Sequence, residues 1–205
     1  MKASDLFVRC LENEGVQYIF GIPGEENTDL IDSLISSDIE FILVHHEQAA
    51  AFMADIYGRL TGKPGVCLGT LGTGCNQFID RDRKCLSGLF PLLSRLQVRR
   101  ALIASIKSRI NMWTLLAFFE EVTKWNQQIK VPHTIPEIIR KAFKTAVIEK
   151  PGAVHIELPE DVAMMETEGE PLPVTPMPRS RPAEEEIKKA VELINRSEKA
   201  YYSSW

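Results

Sequence analysis

The chain has 205 residues, 44% of them hydrophobic, and its 28 acidic and 24 basic side chains leave a net charge of −4. That length can bury one full core with a tail to spare, and the negative balance argues against nucleic acid as a general partner. Cysteines at positions 10, 67, 75 and 85 form neither a CxxC pair nor a secreted disulfide framework, and no signal peptide or apolar run of membrane length occurs, so a cytoplasmic protein with no membrane partner is expected.

In chain order, Ser4 reads as the N-cap of a helix carrying Leu6, Phe7, Cys10 and Leu11, which Gly15 ends. A strand follows at 17–20, a helix from Thr28 to Ile35, a strand at 40–44, a helix at 48–61 with Ala50, Phe52, Met53, Ile56 and Leu60 at helical spacing, and a strand at 66–70. Beyond a middle region, Ile135 to Ile148 is amphipathic with a proline near its start, and Ala153 to Leu158 is a final strand. Residues 169–184, GEPLPVTPMPRSRPAE, suit an extended linker, and Glu185 to Asn195 begins another helix. The alternation predicts an α/β fold: a doubly wound, mostly parallel sheet flanked by helices, in a domain over 1–165, with a proline-rich linker at 166–184 and the start of a further domain at 185–205.

Chemistry in such sheets collects where strands end and helices begin. Glu47 stands at such a junction, between the apolar run Phe41-Ile42-Leu43-Val44 and the third helix. One reading makes it catalytic; the other makes it a negative charge opposing the helix dipole. Upstream, Phe20-Gly21-Ile22-Pro23-Gly24-Glu25-Glu26-Asn27 follows the strand-like Gln17-Tyr18-Ile19, and downstream Gly65 to Gly74 is another strand running into the turn Gly72-Thr73-Gly74. There is no GxGxxG or GxxxxGK[ST] phosphate loop. His45 and His46 lack Cys or carboxylate partners at metal spacing, so no metal site is expected there and His46 orients the strand end. Arg59 and Lys63 suit either a phosphate or a solvated helix face.

The words FGIPGEEN (20–27) and HEQAAAFMADIYGRLTGKPGVCL (46–68), with the strand before Gly72-Thr73-Gly74, make residues 1–74 resemble the amino-terminal pyrimidine-binding domain of thiamin-diphosphate-dependent enzymes, specifically the acetolactate synthase large subunit family. The resemblance resumes near Leu116 through AFFEEVTKWNQQIKVPHTIPEIIRKAFKTA and EKPGAVHIELPEDVA and runs to about residue 198. It implies thiamin diphosphate as cofactor, with Mg and in some members FAD. The carboxylate matching Glu47 would hydrogen-bond a ring nitrogen of the aminopyrimidine and favour the imino tautomer that removes the thiazolium C2 proton. The resemblance also implies that Pro23 and Gly24 approach the cofactor, with Gly72 and Thr73 on the turn beside it, although a Pro-Gly pair is equally an ordinary turn. A carboxylate sharing a proton with a heteroaromatic base is what general acid–base catalysis asks for, while the cofactor carries the hard chemistry.

Residues 75–115 break the pattern. They carry eight Lys or Arg (Arg81, Arg83, Lys84, Arg95, Arg99, Arg100, Lys107, Arg109) against Asp80 and Asp82, a balance of +6 that leaves −10 on the rest of the chain. No nucleic-acid recognition motif accompanies those charges. The sharper expectation is translation out of frame. With suitable codons, Cys75 to Leu89 read from the second base of Cys75 encodes ATNLSTGIGNAFLD, and Arg95 into Leu115 read from the third base of Arg95 encodes ITGQASIDRKHKESHQYVDT, both resembling the family. The end, KAYYSSW from Lys199, recodes by a one-base slip as KPIILAG; the other reading is a naturally short, disordered tail. A sheet distorted around 75–115 follows, in which Ala101 to Ile106 can stand in as the missing apolar strand, with Arg99, Arg100, Lys107 and Arg109 at its exposed ends.

In the family, the diphosphate and its metal are held by a carboxy-terminal domain through a GDG motif and a later Asn. Neither occurs in these 205 residues, Thr73 stands where the family usually has Pro, and the Gln and His-Gln positions near the substrate channel are replaced around Arg99 and by Ile110-Asn111. The 205 residues are therefore expected to bind thiamin diphosphate poorly and not to turn over. The expectation is a fragment of an enzyme that decarboxylates pyruvate and joins it to a 2-oxo acid. One alternative is a dimerisation or regulatory module that forms a homodimer or pairs with a full-length homologue; another is a relative of 2-oxo acid decarboxylases or pyruvate oxidases. Sequencing the gene is expected to show family-like segments in a second frame between Gly74 and Leu116, and codons that restore none would overturn the frameshift account.

Overall fold

Leu6, Phe7, Cys10 and Leu11 recur at helical spacing and are all buried, so one stripe of α1 (Ala3–Asn13) faces the core. The computed structural model describes residues 1–70, 119–120, 123–148, 151–175 and 182–197, together with the backbone of 101–107. After α1 come β1 (Tyr18–Gly21), a 3-10 turn (Glu25–Asn27), α2 (Thr28–Leu34), β2 (Glu40–Leu43), α3 (Glu47–Thr61) and β3 (Gly65–Gly69). They are followed by β4 (Ala101–Lys107), β5 (Trp125–Gln128), a second 3-10 turn (Pro132–Thr134), α4 (Ile135–Val147), β6 (Val154–Pro159), the short α5 (Glu160–Ala163) and α6 (Glu184–Arg196). The chain divides into two units, Met1–Val174 and Thr175–Trp205; the described helix of the second, α6, has an apolar side formed by Ile187, Val191 and Ile194, all exposed.

The first unit is a six-stranded sheet in the order β2-β1-β3-β4-β6-β5, with every pairing parallel. A parallel sheet is covered on both faces, so its inner strands must be apolar throughout. β3 is buried at every position, and β6 is buried from Val154 to Leu158. On one face Ile19, Val66, Leu68, Val154, Ile156 and Leu158 pack with α1 and α4. On the other, Phe20 and Cys67 meet Ala50, Ala51 and Ala54 of α3 and Phe119. The strand expected at 101–106 forms as β4, one residue longer, and fills the centre of the sheet between β3 and β6 with Lys107 as its last residue. The rest of the atypical 75–115 segment lies outside the described residues, as do 176–181 of the proline-rich stretch and the KAYYSSW end.

One local expectation changes. The N-cap of α1 is Lys2, not Ser4. An antiparallel bridge between Lys2 and Glu166, with the Ala3 N–H donating to the Met165 carbonyl at 2.8 Å, fixes the chain before the helix, and the Asp5 carboxylate accepts from the Lys2 N–H at 3.0 Å. Ser4 is instead buried, with its Oγ 2.9 Å from that of Ser33 on α2. Residues 166–174 run along α1, held by the ion pair of Arg9 with Glu170 at 2.8 Å and by Asn13 Nδ2 donating to the Leu172 carbonyl at 2.8 Å.

Two buried polar features stand out. Arg140 of α4 meets the Glu14 carboxylate at the end of α1, 2.6 and 2.8 Å from its two oxygens; burial pushes the Glu14 carboxyl up, against the pull of Arg140. His155 of β6 is fully buried and stacks on Phe119 with ring centres 4.1 Å apart. Burial pushes its pKa down to about 3, so the folded ring is neutral. The unfolded chain takes up this proton below its ordinary value of 6.5 while the folded chain does not until about 3, so stability falls as pH drops through that window. Denaturant titrations are expected to show a loss of up to ~1.4 kcal/mol per pH unit below 6.5. His155→Phe, which keeps a ring against Phe119, is expected to flatten that slope.

Candidate functional site

β1 is flanked by β2 on one side and β3 on the other. The chain leaves β1 for the edge strand β2 and then returns past β1 to β3, so the winding reverses at β1, the point in such sheets where ligands collect in the crevice at the carboxyl ends of the strands. Pro23 and Gly24, both expected at the site, lie in the loop after β1, with Pro23 exposed. Gly24 has extended backbone, φ −148°, so a glycine is not needed for its conformation. Its constraint is contact: a Cβ there would come within 2.8 Å of Thr70 Cγ2, where the chain leaves β3. Gly72 and Thr73 lie just beyond Thr70, outside the described residues.

The third side of the crevice comes from β2. The Val44 N–H donates to the Gly21 carbonyl at 3.0 Å, carrying the pairing one residue past the end of β2. His45 and His46 then turn the chain into α3. His46 is the N-cap, its Nδ1 accepting from the Gln48 N–H at 3.2 Å, so its side chain engages the helix start and not, as expected, the strand end. Glu47 is the first residue of α3 and half-buried, a carboxylate at the positive end of the helix dipole. Glu47, Pro23 and Gly24 thus share the carboxyl edge of the sheet.

The neighbouring charges are otherwise engaged. Arg59, a phosphate candidate, pairs with the buried Asp55 at 2.8 Å one turn earlier on α3, while Lys63 is exposed. Among the described residues no group of His, Cys, Asp or Glu could hold a metal ion. A carboxyl group that can share one proton with a ring nitrogen suits an aminopyrimidine, whose ring nitrogens are acceptors until protonated.

Sequence reasoning missed two features here. The first is Asn27, fully buried, which holds the loop after β1. The second is the orientation of α3. Its small residues Ala50, Ala51, Ala54 and Gly58 face inward, and its large ones, Phe52, Met53, Ile56 and Leu60, are exposed. The helix lies too close to the sheet for bulk: a Cβ on Gly65 of β3 would run into the Ala54 carbonyl. The spacing of Ala50, Ala54 and Gly58 every four residues was the available signal. With Tyr18, Phe20, Ile42 and Tyr57, the outward side chains line an apolar groove of about 600 Å³.

Comparison with known proteins points to one family. Residues 1–80 match the family described as thiamine pyrophosphate enzyme, N-terminal TPP binding domain. The chain is 37% identical over 207 aligned residues to a probable acetolactate synthase large subunit of Methanocaldococcus jannaschii, covering 97% of this chain and 35% of that protein. It is 37% identical to a catabolic acetolactate synthase of Raoultella terrigena, covering 86% and 31%, and 33% identical to a probable 2-ketoarginine decarboxylase of Pseudomonas aeruginosa, covering 79% and 29%. The chain spans about a third of the length of the curated relatives it matches. No helix among the described residues is long and apolar enough to cross a membrane.

Proposed function

Because the chain belongs to the thiamine pyrophosphate enzymes of acetolactate synthase type by its N-terminal domain, we propose that these 205 residues supply the half-site for the aminopyrimidine end of thiamin diphosphate. The observation that carries the reading is the position of Glu47, on the first turn of α3 at the carboxyl edge of β1 and β2, inside the matched residues. Bound there, the cofactor would supply the carbon nucleophile for decarboxylating pyruvate and joining it to a 2-oxo acid. The chain's own residues do simpler things. Glu47 shares one proton with a ring nitrogen, donating when its carboxyl holds that proton and accepting when the ring does. His46 fixes the helix start that carries it, and the Ile22–Gly24 backbone forms the opposite wall.

The diphosphate and Mg ends of the cofactor, and FAD where a relative uses it, would be held by residues other than these. The 205 residues alone would therefore bind thiamin diphosphate weakly and turn nothing over. Calorimetric titration of the chain with thiamin diphosphate and Mg²⁺ is expected to show weak binding, reduced roughly tenfold or more in Glu47→Gln by loss of a charge-assisted hydrogen bond. Equal affinity of the two proteins would refute the role of Glu47, and pyruvate consumption by the purified chain would refute its inactivity.

A second reading is favoured by the outward face of α3. Phe52, Met53, Ile56 and Leu60 leave an apolar groove running along the same helix that begins at Glu47. A second subunit, another copy or a full-length homologue, would cover that groove and the half-buried carboxylate together. On this reading the chain is a pairing module in the cytoplasm, and the similarity to a probable 2-ketoarginine decarboxylase keeps a decarboxylase parent in view. Sedimentation of the chain is expected to show a dimer that Ile56→Glu converts to monomer; a native monomer that also fails to capture a full-length homologue would refute the pairing.

A further inference from the structure

Asn27 is buried completely at the end of the 3-10 turn after β1. A buried amide must find partners for both its ends, and this one finds both in a single loop. Its Oδ1 accepts from the Gly24 N–H at 2.9 Å, and its Nδ2 donates to the Ile22 carbonyl at 3.0 Å. The first bond is half of an ordinary capping box. The second reaches outside the turn, to the residue that leaves β1, and so ties the two ends of Ile22-Pro23-Gly24 to one side chain. The far side of that loop is pressed against Thr70 at the end of β3.

Resting on the aminopyrimidine reading above, we propose that Asn27 is a positioning residue of that site: it touches no ligand, and it holds the Ile22–Gly24 backbone in one conformation at the crevice. Pro23 is exposed, and neither the Ile22 carbonyl nor the Gly24 N–H is satisfied by the sheet ladder, which ends at Gly21. Without the Asn27 amide both groups turn to water and the loop gains alternatives. Apparent affinity falls by the fraction of molecules that keep the competent loop, so a drop of that fraction to a tenth weakens binding tenfold. The requirement is for an amide. Aspartate keeps the acceptor for Gly24 and loses the donor for Ile22, and alanine loses both.

The test uses the 205-residue chain with thiamin diphosphate and Mg²⁺ as the probe, at a temperature where circular dichroism shows each variant folded. Asn27→Ala is expected to speed hydrogen exchange at the Gly24 amide and to weaken binding roughly tenfold. Asn27→Asp is expected to keep Gly24 protected and to fall between the two; it is read in place of alanine if that variant does not fold. Ser36→Ala, which removes a hydroxyl bonded to the Ser33 carbonyl at the far end of α2, is the control and is expected to bind as the unaltered chain does. Binding that Glu47→Gln weakens but the Asn27 variants leave unchanged overturns this inference alone. No binding by the unaltered chain, or binding indifferent to Glu47→Gln, overturns the aminopyrimidine reading and this inference with it.

Discussion

The site depends on the strand order around β1. Hydrogen-bonded in parallel to β2 on one side and to β3 on the other, β1 makes the chain reverse its direction of winding, which is where such sheets open a crevice. The crevice needs no dedicated residues to exist; it follows from connecting parallel strands through helices in this order. What the residues add is its lining: Gly24 against Thr70, the Asn27 amide behind the loop, and Glu47 where the chain coming off β2 enters α3.

Helix α3 serves two surfaces through one choice of side-chain size. Alanines at 50, 51 and 54 and a glycine at 58 let it lie close on β3, which anchors the turn that begins at Glu47. Closeness leaves no room inward for Phe52, Met53, Ile56 and Leu60, so they form the outer groove. A helix with its bulk outside is stable when something covers that bulk, and exposed apolar surface of this kind marks interaction sites. Carboxylate and groove therefore belong to one helix, and whatever covers the second approaches the first.

Buried ionisable groups lie on both faces of the sheet: the Glu14–Arg140 pair between α1 and α4, and further groups under α3. Asp55, His155 and Glu157 are all buried, with His155 stacked on Phe119 and Asp55 paired with Arg59. Register places Cys67, Ile103 and His155 across one row of the sheet and Gly69, Ser105 and Glu157 across the next, nearer the carboxyl edge. The opposite face, under α1 and α4, is a continuous apolar cluster. The lowered His155 imidazole thus belongs to the face under α3, and the raised Glu14 carboxyl to the face under α1 and α4.

The order of elements was legible from residue pattern because it rests on local periodicity: the strands expected at 17–20, 40–44 and 66–70, and the amphipathic stretch from Ile135, recur in the structure within a residue or two. The candidate carboxylate was legible too, since a strand-to-helix junction marks a sheet edge whatever the strand order. β5 was not, because Trp125-Asn126-Gln127-Gln128 is a half-buried edge strand with no apolar alternation to announce it. Ser4 looked like a cap because caps are read from residue type, and only the bridge of Lys2 to distant Glu166 shifts the cap to position 2. By itself the sequence determined which segments are helix or strand and which residue types stand at their junctions, because those follow from neighbours a few positions away. The tertiary structure alone decided that Gly24 meets Thr70, that Asn27 closes the loop behind it and that the large side chains of α3 point outward, because each depends on how near two separated segments come once the sheet is assembled.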